Sequence, residues 1–105
     1  MELNEYQRQS ARTAQEHDLE QLNYALGIAG EAGEVADLIK KRFFHGHTTS
    51  SEELKKELGD VLWYLAQISR IFGITLEEVA EGNIEKLQHR YPDGFSETRS
   101  IGRTE

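Results

Sequence analysis

Proline occurs once in this chain, at position 92. Nothing therefore interrupts helical hydrogen bonding from Met1 to Tyr91. Helix formers dominate that stretch and alternating β-branched runs are absent, so the pattern predicts an all-α fold. Capping residues divide it into about four helices. The first is expected from about Asn4 to Glu16, with Leu3, Tyr6, Gln7 and Ala14 on its packed side. Asp18 with Gln21 reads as a capping box opening a second helix. That helix continues to about Phe44, where Lys40, Lys41 and Arg42 complement the dipole. A loop follows, in which His45 and His47 read as exposed. Ser50 with Glu53 opens a third helix ending near Phe72, and Gly73 suits the left-handed residue after it. Thr75 with Glu78 opens a fourth, to about Arg90. Pro92-Asp93-Gly94 is a turn, and the tail to Glu105 carries weak signals.

The long helices carry apolar residues at helical spacing. On the second these are Leu22, Ala25, Ala29, Ala32, Ala36 and Ile39. On the third they are Leu54, Leu58, Val61, Leu62, Leu65 and Phe72. On the fourth they are Leu76, Ala80, Ile84, Leu87 and Tyr91. The short loop predicts that the second and third helices form an antiparallel hairpin. With 105 residues there is room for one domain, read as spanning 1–105. A second helix about 40 Å long has more apolar length than one small chain covers. A homodimer or dimer of dimers is expected, with part of the set Phe43, Phe44, Trp63 and Phe72 between subunits.

The net charge of −7 argues against broad contact with nucleic-acid backbones, which needs a basic face. The absence of cysteine removes disulfides, thiolate metal sites and thiol nucleophiles. The first residues lack the basic and apolar runs of a signal peptide, and no stretch is long and apolar enough to span a membrane. A cytoplasmic location is expected.

The chemistry lies in acids set within small apolar segments. Glu31 and Glu34 fall in Gly27-Ile28-Ala29-Gly30-Glu31-Ala32-Gly33-Glu34-Val35-Ala36. Glu57 and Asp60 fall in Glu57-Leu58-Gly59-Asp60-Val61-Leu62-Trp63. Each pair is spaced i, i+3 and shares a helix face. One such pair is ordinary on a solvated helix. Two pairs beside core positions repel and are costly to desolvate unless a cation compensates. The 22 residues between Glu34 and Glu57 let a hairpin bring the pairs to one level. All-oxygen ligands suit Mg²⁺, Mn²⁺ or Ca²⁺. Di-iron bundles normally carry Glu-x-x-His, and no glutamate here is followed three residues later by histidine. Mg²⁺ completes its shell with water and substrate phosphate, so four acids read as a phosphate-processing site.

Three blocks resemble the MazG-like family of all-α nucleotide pyrophosphohydrolases. They are Glu31-Ala32-Gly33-Glu34, Glu57-Leu58-Gly59-Asp60, and Asn83-Ile84-Glu85-Lys86-Leu87-Gln88-His89-Arg90-Tyr91-Pro92. The resemblance covers about Leu19 to Phe95. It implies cleavage of an NTP or dNTP between its α and β phosphates, with Mg²⁺ required and Mn²⁺ able to substitute. It implies that Glu31, Glu34, Glu57 and Asp60 are metal ligands. Some relatives carry a glutamate just before the first signature glutamate, proposed as a base. This chain has Gly30 there, which leaves Glu31, Glu34 or metal-activated water for that role. Asn83 and Lys86 are implied to contact substrate, Lys86 balancing phosphate charge. Arg90 shares their helix face. Tyr24, Trp63 and Tyr64 are candidates to line the nucleotide pocket, against the alternative of core or interface packing. Alternatives to NTP hydrolysis are phosphoribosyl-ATP pyrophosphohydrolysis and a non-catalytic, metal-stabilised assembly module.

Overall fold

The computed structural model describes residues 1–103. Helix α1 spans Leu3–Ser10 and runs into a 3₁₀ turn, Ala11–Thr13. Helices α2 (Glu20–Phe44), α3 (Ser51–Ile71), α4 (Leu76–Arg90) and α5 (Glu97–Ile101) follow. The architecture is all-α, as expected. Two caps form as the sequence indicates. Ser50 Oγ accepts from the Glu53 amide, and Thr75 Oγ1 accepts from the Glu78 amide. Gly73, with φ 71°, takes the left-handed conformation that ends α3.

Other boundaries differ. The first α-helix stops at Ser10 rather than near Glu16. Ser10 is needed elsewhere: its hydroxyl accepts from Gln67 Nε2, and its carbonyl accepts from Trp63 Nε1. The Asp18 capping box does not form. Leu19 occupies the N-cap without a side-chain bond, and its amide donates to His17 Nδ1. Glu20 begins the helix instead, and its carboxylate lies 2.6 Å from Arg70 of α3, which fixes the start of α2 there. The short helix α5 is an addition to the four expected, capped by Ser96 Oγ on the Arg99 amide.

The hairpin of α2 and α3 is the main packing unit. Tyr24, Trp63 and Tyr64 form an edge-to-face cluster, with ring centroids 5.1 to 6.0 Å apart. The hairpin side of α2 carries buried Tyr24 and then half-buried Gly27, Ile28, Glu31, Val35 and Leu38. The apolar stripe expected to pack is the other one. Leu22, Ala25, Ala29, Ala32, Ala36 and Ile39 are exposed. Both faces of α2 are apolar, and periodicity alone does not say which one meets α3. Shape decides it: the Tyr64 ring fills the space where a side chain on Gly27 would stand. Gly27→Ala would place a methyl 2.8 Å from Tyr64 Cδ1, and closer still to Cε1. The expected result is a loss of about 1–3 kcal/mol, read by urea denaturation.

Helix α1 buckles the corner between α3 and α4. Gln7 Nε2 donates to the Ile74 carbonyl at 2.9 Å, and its Oε1 accepts from the Leu76 amide at 3.0 Å. Asn4 Oδ1 accepts from the Glu77 amide. Two free amides at the start of α4 are thereby satisfied by another helix. Gln67, fully buried, is satisfied by Ser10 and Arg70.

The described chain is open for its size. Its radius of gyration is 16.8 Å, against about 13 Å for a compact chain of this length. Only three apolar side chains are buried among the described residues: Tyr24, Ala66 and Leu76.

Candidate metal and phosphate site

Two adjacent helices build the site. Glu31 projects from the middle of α2, and Glu57 and Asp60 from one face of α3. One carboxylate oxygen from each lies within 4.8 Å of the other two. Glu31 and Glu57 are half-buried and Asp60 is exposed. The antiparallel hairpin therefore brings Glu31 to the Glu57 and Asp60 pair, while Glu34, expected at the same level, stays outside the group. The donor set is entirely carboxylate, which is hard-oxygen chemistry suited to a divalent cation such as Mg²⁺ or Ca²⁺.

Electrostatics register the crowding. The Glu31 carboxyl is pushed above its ordinary value, first by desolvation and then by the charges of Asp60, Glu57 and Glu34. A carboxyl held high in the folded chain favours folding at low pH, and that contribution is lost as pH rises through its titration. Glu20 and Asp37 act in the opposite sense. Arg70 lowers the first and Lys41 the second, so their contributions are lost as pH falls. Comparison with a variant isolates Glu31. Without Mg²⁺, the midpoint of Glu31→Gln should gain on wild type as pH rises from about 4 to 7. Thermal scans across that range check it; a constant difference would contradict the crowding.

The other site candidates fall differently. Glu34 is exposed, one turn beyond Glu31 and outside the tight group of three. Asn83 and Lys86 stand exposed on α4, outside the carboxylate group. Helix α4 packs on α1 and α3, and Arg90 near its end is half-buried. Tyr24 is buried, and Trp63 Nε1 donates to Ser10 and Thr13, so these rings are engaged in packing α1 and α2 onto α3. Two features escaped the sequence reading. Tyr6 of α1 lies near the site, its phenol pushed up by burial and by the Asp60 charge. Asp37 holds Lys41 at 3.0 Å one turn past Glu34. That pair was legible as an i, i+4 spacing; the approach of Tyr6 depends on tertiary packing.

An all-helical chain with hard carboxylates converging from two antiparallel helices has the donor set of a divalent-cation site. The comparison with known proteins makes that specific. The MazG nucleotide pyrophosphohydrolase domain matches residues 19–95, and the chain belongs to that family. The chain is also similar to the Gene 37 protein of Mycobacterium phage L5, at 41% identity over 81 residues, covering 72% of this chain and 71% of that protein. No solved structure matches the chain significantly. The matched region contains α2, α3 and α4 with all the signature acids, and leaves α1 outside. No helix among the described residues is long and apolar enough to cross a membrane.

Proposed function

We propose that this protein is a Mg²⁺-dependent nucleoside triphosphate pyrophosphohydrolase, converting an NTP or dNTP to its monophosphate and pyrophosphate. The observation carrying this reading is the convergence of Glu31, Glu57 and Asp60 within 4.8 Å. Among the described residues the ion pairs of α2 and α3 lie elsewhere on those helices, at Glu20 with Arg70, at Asp37 with Lys40 and Lys41, and at Glu52 with Lys55. Crowded acids left to one another favour a cation, and the fit to Mg²⁺ follows from their hard oxygens. Bound there, Mg²⁺ would neutralise phosphate charge and polarise the phosphoryl group.

The remaining roles fall to the chain's own side chains. Glu31, Glu57 and Asp60 hold the cation. Glu34, beside Glu31 but outside the tight group, is the carboxylate that accepts the proton of the attacking water. The water oxygen bonds to the α phosphorus, the bridging bond to the β phosphate breaks, and pyrophosphate leaves with the bonding electron pair. Asn83, Lys86 and Arg90 contact phosphate or sugar. Asn83 and Lys86 are exposed on a helix that packs on α1 and α3, so they are open to an approaching substrate. The assembly is a homodimer or dimer of dimers, in keeping with the open shape and the exposed face of α2.

A panel of NTPs and dNTPs with Mg²⁺, with products separated by ion exchange, tests this. Monophosphate and pyrophosphate in equal amounts are expected. Diphosphate and orthophosphate as first products would overturn the assignment. Turnover of phosphoribosyl-ATP alone would move the substrate, and no turnover of any of these would leave an assembly module.

A further inference from the structure

The carboxylate group leaves a question of charge. Glu31, Glu34, Glu57 and Asp60 are all negative, and so is a triphosphate. One cation can hold the reacting phosphate but not neutralise the whole chain, so a fixed positive group should lie where the leaving end extends. Along α2 the structure supplies one. Lys41 follows Glu34 by seven residues, which returns it to within about 20° of the same line on the helix. Its stem leans toward the N-terminus of α2, back toward Glu34. Asp37 holds it there, with Nζ 3.0 Å from Oδ2, and Glu34 adds to the field that stabilises its charge. Lys40, the other lysine on Asp37, sits farther from it at 3.6 Å. By helical rotation it lies on a different line from Glu34.

The end of a helix is an ordinary place for lysine, since it offsets the dipole. That accounts for a charge near the end of α2 and applies equally to Lys40, Lys41 and Arg42. Asp37 adds an i, i+4 partner that holds this lysine, alone of the three, close to the line of Glu34.

We infer that Lys41, oriented by Asp37, binds the β and γ phosphates of the substrate and then the pyrophosphate product. This rests on the pyrophosphohydrolase reading for its substrate, though not for the contact itself. In this arrangement Lys41 is a substrate-contacting residue and Asp37 a positioning residue. The ammonium donates to phosphate oxygens while one of its three N–H groups continues to donate to Asp37.

Mg²⁺-pyrophosphate titrated calorimetrically onto the full chain provides the test, beside steady-state kinetics with the best triphosphate. Lys41→Met should weaken pyrophosphate binding by about 10-fold or more and raise KM by a similar factor. Inhibition by the nucleoside monophosphate should be unchanged. Lys41→Arg should recover much of the loss, and Asp37→Asn should show a smaller loss of the same kind. Lys40→Met removes the same charge from the neighbouring position and should change neither quantity. Equal pyrophosphate affinity in wild type and Lys41→Met, or no binding to wild type, would overturn the inference. Equal losses in Lys40→Met and Lys41→Met would also overturn it, since net charge alone would then explain them. If no triphosphate is turned over while pyrophosphate binding still depends on Lys41, the hydrolase reading fails and the phosphate contact stands.

Discussion

Replacing Glu57 by glutamine is expected to lower turnover by about 10²-fold or more. The substitution keeps the side chain's size and one oxygen but removes its charge. In the proposed site that charge holds the cation against α3, and its loss enters the barrier directly. Stability without Mg²⁺ should stay level or rise, because Glu57 lies within 4.8 Å of Glu31 and Asp60 and contributes to the charge opposing Glu31 ionisation. A purely structural Glu57, paired with a cation such as Lys56, predicts the reverse pattern. Stability would then fall at every Mg²⁺ concentration, with little specific loss of catalysis. Thermal midpoints of wild type and variant, with and without Mg²⁺, read beside turnover, separate the two. Near-normal turnover would remove Glu57 from the site and with it the carboxylate arrangement. The midpoint gained by wild type on adding Mg²⁺ should shrink in the variant, because a ligand stabilises only in proportion to its affinity for the folded chain.

Local signals were the most legible part of the fold. Ser50 and Thr75 announced two helix starts because a capping hydroxyl and its amide are three residues apart and need nothing distant. Asp18 carried a similar signal and did not cap, because Glu20 finds Arg70 fifty residues away and the helix begins there instead. The end of α1 shifted for the same reason. Ser10 serves Trp63 and Gln67, and no local pattern encodes those bonds. In the site, Glu31, Glu57 and Asp60 were readable because a hairpin converts spacing into proximity. The division between these three and Glu34 was not, since it depends on which face of α2 turns toward α3. That face was chosen by the fit of Gly27 against Tyr64. The apolar alanine and leucine pattern pointed to the opposite side.

That opposite side supports the other large prediction. Leu22, Leu26, Ala29, Gly33 and Ala36 recur at the alternating four- and three-residue spacing of a helix–helix seam, and all are exposed. Leu26 is 66% exposed, and Phe72 beyond the end of α3 is 62% exposed. Between them, Leu22, Ala25, Ile68 and Ile71 line an open apolar cleft. The aromatic set expected between subunits divides here: Phe43, Phe44 and Phe72 are exposed, whereas Trp63 is bound to Ser10 and Thr13 within the chain. Leu26→Lys separates a surface leucine from an interface leucine. Lysine preserves helix propensity, and at an exposed monomer position the change should stay within about 0.5 kcal/mol. In an interface between copies it would bury an unpaired charge, at a cost of several kcal/mol. Wild type is expected to scatter light as at least a dimer at micromolar concentration, with a thermal midpoint that rises with protein concentration. The variant should scatter as a monomer, melt lower, and lose the concentration dependence. Wild type at monomer mass, or a variant matching wild type in mass and midpoint, would show that the exposed stripe of α2 is not where copies of this chain meet.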